Sequence, residues 1–299
     1  MALPTLRQLE FAVALADHGH FGRAAEACFI SQPGLSGQIR VLEQRVGTEL
    51  FERGSRSVRL TAAGEDVVAR ARLILRDVDE LTAAADAHRD SIAGRLRFAA
   101  IPTMAPYLLP EIVGTIRGLW PDAVLELQEQ QSVDLVRQLA NGDLDLGLLA
   151  TPYDTGTLHV EPLGDESFVV ALPCGHELES TAPLPLEELT GLSMLLLPEG
   201  HCLRDHALSA CDLAGRVEHS GVHGASLSTL TQMVAGGVGT TLLPSSAVPV
   251  EARDGNGITV RPLEEPSPGR TIALVWRTTD PRCELYSTLA DRMRAQSSR

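Results

Sequence analysis

Residues 21 to 47 read Phe21-Gly-Arg-Ala-Ala-Glu-Ala-Cys-Phe-Ile-Ser-Gln-Pro-Gly-Leu-Ser-Gly-Gln-Ile-Arg-Val-Leu-Glu-Gln-Arg-Val-Gly47. Phe21, Ala24, Ala25 and Cys28 recur along one face of a short helix, and Phe29-Ile30 makes a turn. Ser31 is a natural N-cap for a second helix, with Pro33 tolerated in its first turn. Leu35, Ile39, Leu42 and Val46 then form an apolar stripe, and Gly47 stops it. The opposite face presents Pro33, Ser36, Gly37, Arg40 and Gln44, small or hydrogen-bonding groups suited to a major groove. Two short helices around a tight turn make a helix-turn-helix. Any helical hairpin shares that pattern, so DNA binding needs a second signal.

Arg53-Gly-Ser-Arg-Ser-Val-Arg59 supplies it. Three Arg and no acid alternate around a Gly-Ser turn, the pattern of a β-wing whose Arg53, Arg56 and Arg59 meet phosphates or the minor groove. Thr61 is read as the N-cap of a long helix. In that helix Val67, Ala71, Ile74, Val78, Leu81, Ala85, His88 and Ile92 repeat at heptad-like spacing over about 45 Å, ending at Gly94. A seam this long exceeds what the preceding small domain can cover, so the 61–92 helix is expected to dimerise.

From Leu96 onward strand and helix patterns alternate: Leu96–Ile101, Ala105–Gly118, Val124–Gln128, Ser132–Ala140, Leu144–Leu149. This βαβαβ run predicts a parallel sheet flanked by helices. The theme repeats at Phe168–Leu172, Met194–Leu197, Ser226–Gly236 and Thr240–Leu243. A late strand, Arg270–Trp276, and a final helix, Pro281–Arg294, are expected to return to the first lobe. Residues 94–299 thus read as two α/β lobes, 94–164 with 270–299 and 165–269, with crossings near Gly164 and Gly269. Ligands of such sheets sit beyond the carboxyl ends of the strands. Thr103 and Ser132 each follow a strand there and are expected in one crevice, unless they only cap helices.

The net charge is −14, yet residues 1–60 carry seven Arg against six acidic residues, so the acidity belongs to the rest. Only the first segment suits a polyanion. No apolar run approaches the ~18 residues of a membrane span, and the first residues lack the apolar core of a signal peptide. A cytoplasmic protein is expected, where a permanent disulfide is unusual. Five cysteines, an odd number, also argue against a structural disulfide framework. No phosphate loop, Ser/His/Asp spacing or metalloprotease motif is present, so neither an enzyme nor a bound cofactor is expected.

Cys202 and Cys211 lie nine positions apart in a stretch rich in helix formers. As a helix it would hold them about 13 Å apart along the axis, whereas a disulfide needs α-carbons within roughly 7 Å. The segment can be one helix or be cross-linked, but hardly both. His201 and Arg204 favour a depressed Cys202 pKa, and Asp212 makes Cys211 the better resolving partner. Two blander readings stay open. In one, both are small buried hydrophobes; in the other, Cys202 and His206, at i and i+4, begin a metal site that short-range ligands barely complete.

Phe21-Gly-Arg-Ala-Ala-Glu-Ala27, Ser31-Gln-Pro-Gly-Leu-Ser-Gly-Gln-Ile-Arg-Val-Leu-Glu43, Leu50-Phe-Glu-Arg53, Leu60-Thr-Ala-Ala-Gly64 and Val234-Ala-Gly-Gly-Val-Gly-Thr-Thr-Leu-Leu-Pro244 together resemble a LysR-type transcriptional regulator along the whole chain. Ile101-Pro-Thr-Met-Ala-Pro-Tyr-Leu-Leu-Pro110 and Gly200-His-Cys-Leu-Arg-Asp205, with Cys211, resemble the OxyR group of peroxide sensors. The resemblance implies a winged helix-turn-helix domain (1–60), a dimerisation helix (61–92) and a two-lobed, periplasmic-binding-protein-like regulatory domain, usually tetrameric. It implies that Cys202 is the peroxidatic cysteine and Cys211 the resolving one, joined in a reversible disulfide, with no metal. Thr103, Ser132, His201 and Arg270 match the positions around the peroxide. Ser31, Gln32, Pro33, Ser36, Arg40, Arg53 and Arg56 are the expected contacts to double-stranded promoter DNA, and RNA polymerase the expected further partner. Ser132 stands where the family more usually has Thr, and His206 where Gln is expected. The alternatives are a LysR-type regulator that binds a metabolite with idle cysteines, a thiol peroxidase, and a solute-binding protein, which lacks its export signal here.

Overall fold

The computed structural model describes residues 3–53, 58–87, 91–214, 218–223 and 226–297. The chain divides into two compact units, residues 1–82 and 83–299.

The first unit opens with α1 (Leu6–His18), begun by a reciprocal capping box between Thr5 and Gln8. Then come α2 (Phe21–Ala27) and α3 (Gln32–Val46). Leu35, Ile39 and Leu42 of α3 are fully buried with Leu15, Ala24 and Leu50, the stripe expected from the sequence. Gly47 closes α3 at φ 83°, a left-handed conformation that a side chain would strain. Strands β1 (Phe51–Arg53) and β2 (Val58–Leu60) pair antiparallel as the wing.

Helix α4 runs Ala62–Ala87, and Thr61 Oγ1 accepts a bond from the Gly64 amide at 2.9 Å. The seam is shorter than expected. Ala71 packs into the first unit's core, Ile74, Val78, Leu81 and Ala85 are exposed, and Leu73 joins them. His88 lies outside the described residues. Ile92 has left the helix and is fully buried in the regulatory core, and Gly94 introduces a strand rather than capping α4. The repeat persisted into Ile92 because apolar spacing carries no record of where a helix stops.

In the second unit β3 (Arg95–Ala100), α5 (Ala105–Leu119), β4 (Val124–Glu129), α6 (Ser132–Asn141) and β5 (Leu146–Thr151) follow in turn. β3 pairs parallel with β4 and β5. The 16-residue β6 (Leu158–Pro173) passes Gly164 into the second lobe. There β7 (Ser193–Leu196), α7 (Cys202–Ala214), β8 (Glu218–His223), α8 (Leu227–Ala235), β9 (Thr241–Pro244), α9 (Val248–Glu251) and β10 (Ile258–Pro262) assemble. β8 and β10 escaped the sequence reading. β11 (Gly269–Arg277) returns antiparallel to both β6 and β5, and α10 (Cys283–Ser297) closes the first lobe. The described strands give one mixed sheet in the order β10-β6-β11-β5-β3-β4, with β9 on β6 and the β7–β8 pair apart. Each lobe keeps its own apolar core, around Phe98, Leu148 and Trp276 in the first and around Phe168, Leu195 and Leu243 in the second.

Candidate peroxide site and DNA-binding face

Gly200 brings the cysteine loop to the first lobe. Its φ is +94°, and a Cβ there would come within 2.5 Å of the Gln131 side chain. The left-handed φ favours glycine here, and its bare backbone lies against the residue preceding Ser132. Two residues on, Cys202 starts α7 and is buried among the first lobe's apolar residues. Leu203, Ala207 and Ala210 on the same helix pack into the second lobe's core. The helix therefore has one foot in each lobe.

Of the expected residues, Ser132 and Arg270 act on the sulfur, Thr103 is bonded to that arginine, and His201 is buried next to Cys202 in the chain. Ser132 is 1% exposed and its hydroxyl makes no hydrogen bond. Gln131, not Ser132, holds the N-cap position of α6, without a side-chain bond. Capping thus leaves the hydroxyl unexplained, while it stands close enough to Cys202 to favour the thiolate. Thr103 is also no cap. Its Oγ1 accepts from Arg270 Nη1 at 2.9 Å, and its carbonyl accepts from Nη2 at 3.1 Å. The Arg270 side chain is fully buried, and its Nε donates to Glu166 Oε2 at 2.7 Å. Glu166 Oε1 accepts in turn from the Ser246 amide at 2.9 Å. Glu166 went unnoticed in the sequence because Asp165-Glu166-Ser167 looks like a solvated strand face.

The electrostatics correct one expectation. Burial pushes the Cys202 thiol above its ordinary value, opposed by Ser132, by the Arg270 charge and by the Ala150 main chain, with Asp205 adding to the rise. The thiol is therefore not acidified. Arg204 turns its guanidinium to the Leu197 carbonyl at 3.0 Å, so the cation felt by the sulfur comes from β11. Burial lowers the pKa of His201, which favours the neutral ring. His206 is depressed for the same reason, its Nε2–H donating to the Pro152 carbonyl at 3.0 Å and its ring stacking on Phe168. Among the described residues no cluster of three or more His, Cys, Asp or Glu forms a metal site.

Cys202 is a free thiol. Cys211 lies in the same unbroken helix α7, so of the two conformations the sequence allowed, this is the helical one.

On the first unit, Ser31 Oγ accepts from the Gly34 amide at 3.3 Å as the cap of α3. Gln32, Pro33 and Arg40 are exposed and Ser36 half-exposed on the outer face of that helix. Arg53 ends β1, opposite Val58; Arg56 lies outside the described residues. Phe29, in the turn between α2 and α3, has φ 53° and is 97% exposed. No described helix is long and apolar enough to cross a membrane.

Comparison with known proteins gives the family. Residues 6–65 match the family described as bacterial regulatory helix-turn-helix protein, lysR family. Residues 89–298 match the LysR substrate binding domain. The "DNA-binding transcriptional dual regulator OxyR" of Escherichia coli K12 is 42% identical over 291 residues, covering 97% of this chain and 95% of that protein. The "Hydrogen peroxide-inducible genes activator" of Dickeya chrysanthemi is 43% identical over 289 residues, 97% and 94% of the two chains. A full-length OxyR variant from Pseudomonas aeruginosa superposes with a TM-score of 0.74 at 37% identity, covering 98% of this chain and 96% of its own. An H2O2-bound OxyR mutant from Corynebacterium glutamicum gives 0.69 at 32% identity, with coverage of 99% and 94%. The chain belongs to the LysR family of transcriptional regulators, and within it to the OxyR group.

Proposed function

We propose that this protein is a hydrogen-peroxide-sensing, DNA-binding transcriptional regulator switched by a reversible Cys202–Cys211 disulfide. The observation that carries this reading is Cys202 itself: a buried thiol acted on by the Ser132 hydroxyl and by the charge of a buried Arg270 that Thr103 holds. A small polar oxidant fits such a site better than a metabolite, because the groups around one sulfur are few and already packed.

In the first step the Cys202 thiolate attacks one oxygen of the peroxide. An S–O bond forms, the O–O bond breaks, and the leaving hydroxide takes a proton to become water. Arg270, Thr103, Ser132 and neutral His201 orient the peroxide and stabilise the departing charge. In the second step the Cys211 sulfur attacks the sulfenic acid of Cys202. An S–S bond replaces S–O, and a second water departs. Nine residues of helix separate the two sulfurs by about 13 Å of rise, so α7 must unwind for the bond to close. That unwinding withdraws Cys202 from one lobe's core and Leu203, Ala207 and Ala210 from the other's. Repacking there would shift one dimer against another and alter the half-site spacing offered to DNA.

The domain boundaries that serve this scheme are 1–60 for DNA binding, the helix that follows it to Ala87 for dimerisation, and the remainder, from Ile92 onward, for sensing. The exposed Leu73, Ile74, Val78 and Leu81 support pairing through α4, and the full assembly is a tetramer that acts on RNA polymerase at promoters in the cytoplasm. Mass mapping of linked cysteines after one equivalent of peroxide should find the Cys202–Cys211 bond. If both remain thiols, the switch is wrong; if peroxide is consumed continuously with a recycling thiol, the protein is a peroxidase instead.

For the DNA face, Gln32, Pro33, Ser36 and Arg40 would read bases, while Ser31, Arg53 and Arg56 hold the backbone. Arg53→Ala and Arg56→Ala should each weaken binding to all sequences alike and reduce the salt slope by roughly one unit. An unchanged slope in salt titrations would remove that arginine from the phosphate contacts.

A further inference from the structure

We propose that Glu166 is a positioning residue of the peroxide site, fixing the direction in which Arg270 offers its remaining N–H groups; this rests on the reading of the site given above. A guanidinium is a planar fork, so pinning one edge sets the other. Glu166 Oε2 takes the Nε edge at 2.7 Å, while Thr103 takes one proton from each Nη. Those bonds leave one proton on each Nη for an incoming oxygen. Glu166 is held a second time, because its other oxygen accepts from the amide of Ser246, in a turn of the second lobe 80 residues further along the chain. At 4% exposure the carboxylate is withdrawn from water, and a buried charge of this kind is seldom a net gain in stability.

Glu166 also has an electrostatic effect opposite to its geometric one. Its negative charge offsets that of Arg270, so removing it leaves more positive field at the Cys202 sulfur and favours the thiolate. Removing it also frees the fork to turn away from the peroxide position. The two effects pull different reactions in different directions. A peroxide needs the fork; a neutral alkylating reagent needs only the thiolate.

The test uses the full-length protein, with peroxide oxidation and iodoacetamide alkylation of the Cys202 peptide both followed by mass spectrometry at neutral pH. Glu166→Gln should slow oxidation by roughly ten- to a hundredfold, the cost of a misplaced reacting group. Its alkylation should be as fast as wild type or faster, and Glu166→Asp should recover most of the oxidation rate. Equal slowing of both reactions would mean a disordered pocket and overturn the proposal. A normal oxidation rate in Glu166→Gln, with Arg270→Ala slow, would overturn it while sparing the site. A normal rate in Arg270→Ala would sink both. Should Glu166→Gln fold poorly, Arg270→Ala and the double variant Glu166→Gln/Arg270→Ala decide. With no arginine left to place, the double variant should oxidise at least as fast as Arg270→Ala, since it also sheds the stranded charge, and a further loss in the double variant would overturn the role.

Discussion

Cys202→Ser is expected to abolish the response to peroxide, slowing oxidation in the 202–211 segment by a factor on the order of a thousand or more, because the nucleophile is gone. Of the other described cysteines, Cys28 and Cys283 have thiols raised by burial, and Cys174 is exposed on the far lobe. None of them lies beside a buried arginine with two hydroxyl groups. The wild-type rate should also climb with pH. Burial keeps Cys202 protonated at neutrality, so the reactive thiolate fraction rises roughly tenfold per pH unit until the raised pKa is reached. Stopped-flow mixing with peroxide across a pH series checks both statements. A Cys202→Ser protein that still changes its DNA occupancy on oxidation would place the sensor elsewhere, and a flat pH profile would mean that the thiol is ionised already.

Arg270→Ala should damage stability and reactivity together. Its guanidinium is fully buried and bonded to Glu166 and Thr103. Deleting it strands a carboxylate that is itself 4% exposed. Removing one partner of a buried ion pair costs roughly 3–5 kcal/mol, readable as a shift of the denaturant midpoint. Peroxide oxidation of the folded fraction should fall roughly a hundred- to a thousandfold, as when a donor to a developing oxyanion is lost. A variant as stable as wild type would show that water reaches Glu166 and that the pair is less secluded than it looks.

Legibility in the sequence followed the range of the interaction. The helix-turn-helix was readable because its signals are local: the Ser31 cap, the Leu35–Ile39–Leu42 stripe and the Gly47 stop all act within one or two turns. Thr103 and Ser132 were readable from topology, since residues after parallel strands converge at one edge. Arg270 came only through the resemblance, and nothing local pointed to Glu166, 104 residues away from its partner. The acidity expected of Cys202 failed for the same reason. Charges near in sequence were weighed, whereas the one that matters arrives on β11, and burial outweighs it. The end of α4 was misjudged because Ile92 serves a different core from the one its spacing suggested.

The two lobes are bridged by β6 and β11, which stay hydrogen-bonded from Gly269 opposite Ser167 to Arg277 opposite Leu158, with one irregularity at Ile272–Ala273. The same pair carries β5 on one side and β9 with β10 on the other, so hydrogen bonds run without a break from one lobe into the next. Whatever α7 loses when its cysteines join, the lobes keep this common seam of main chain.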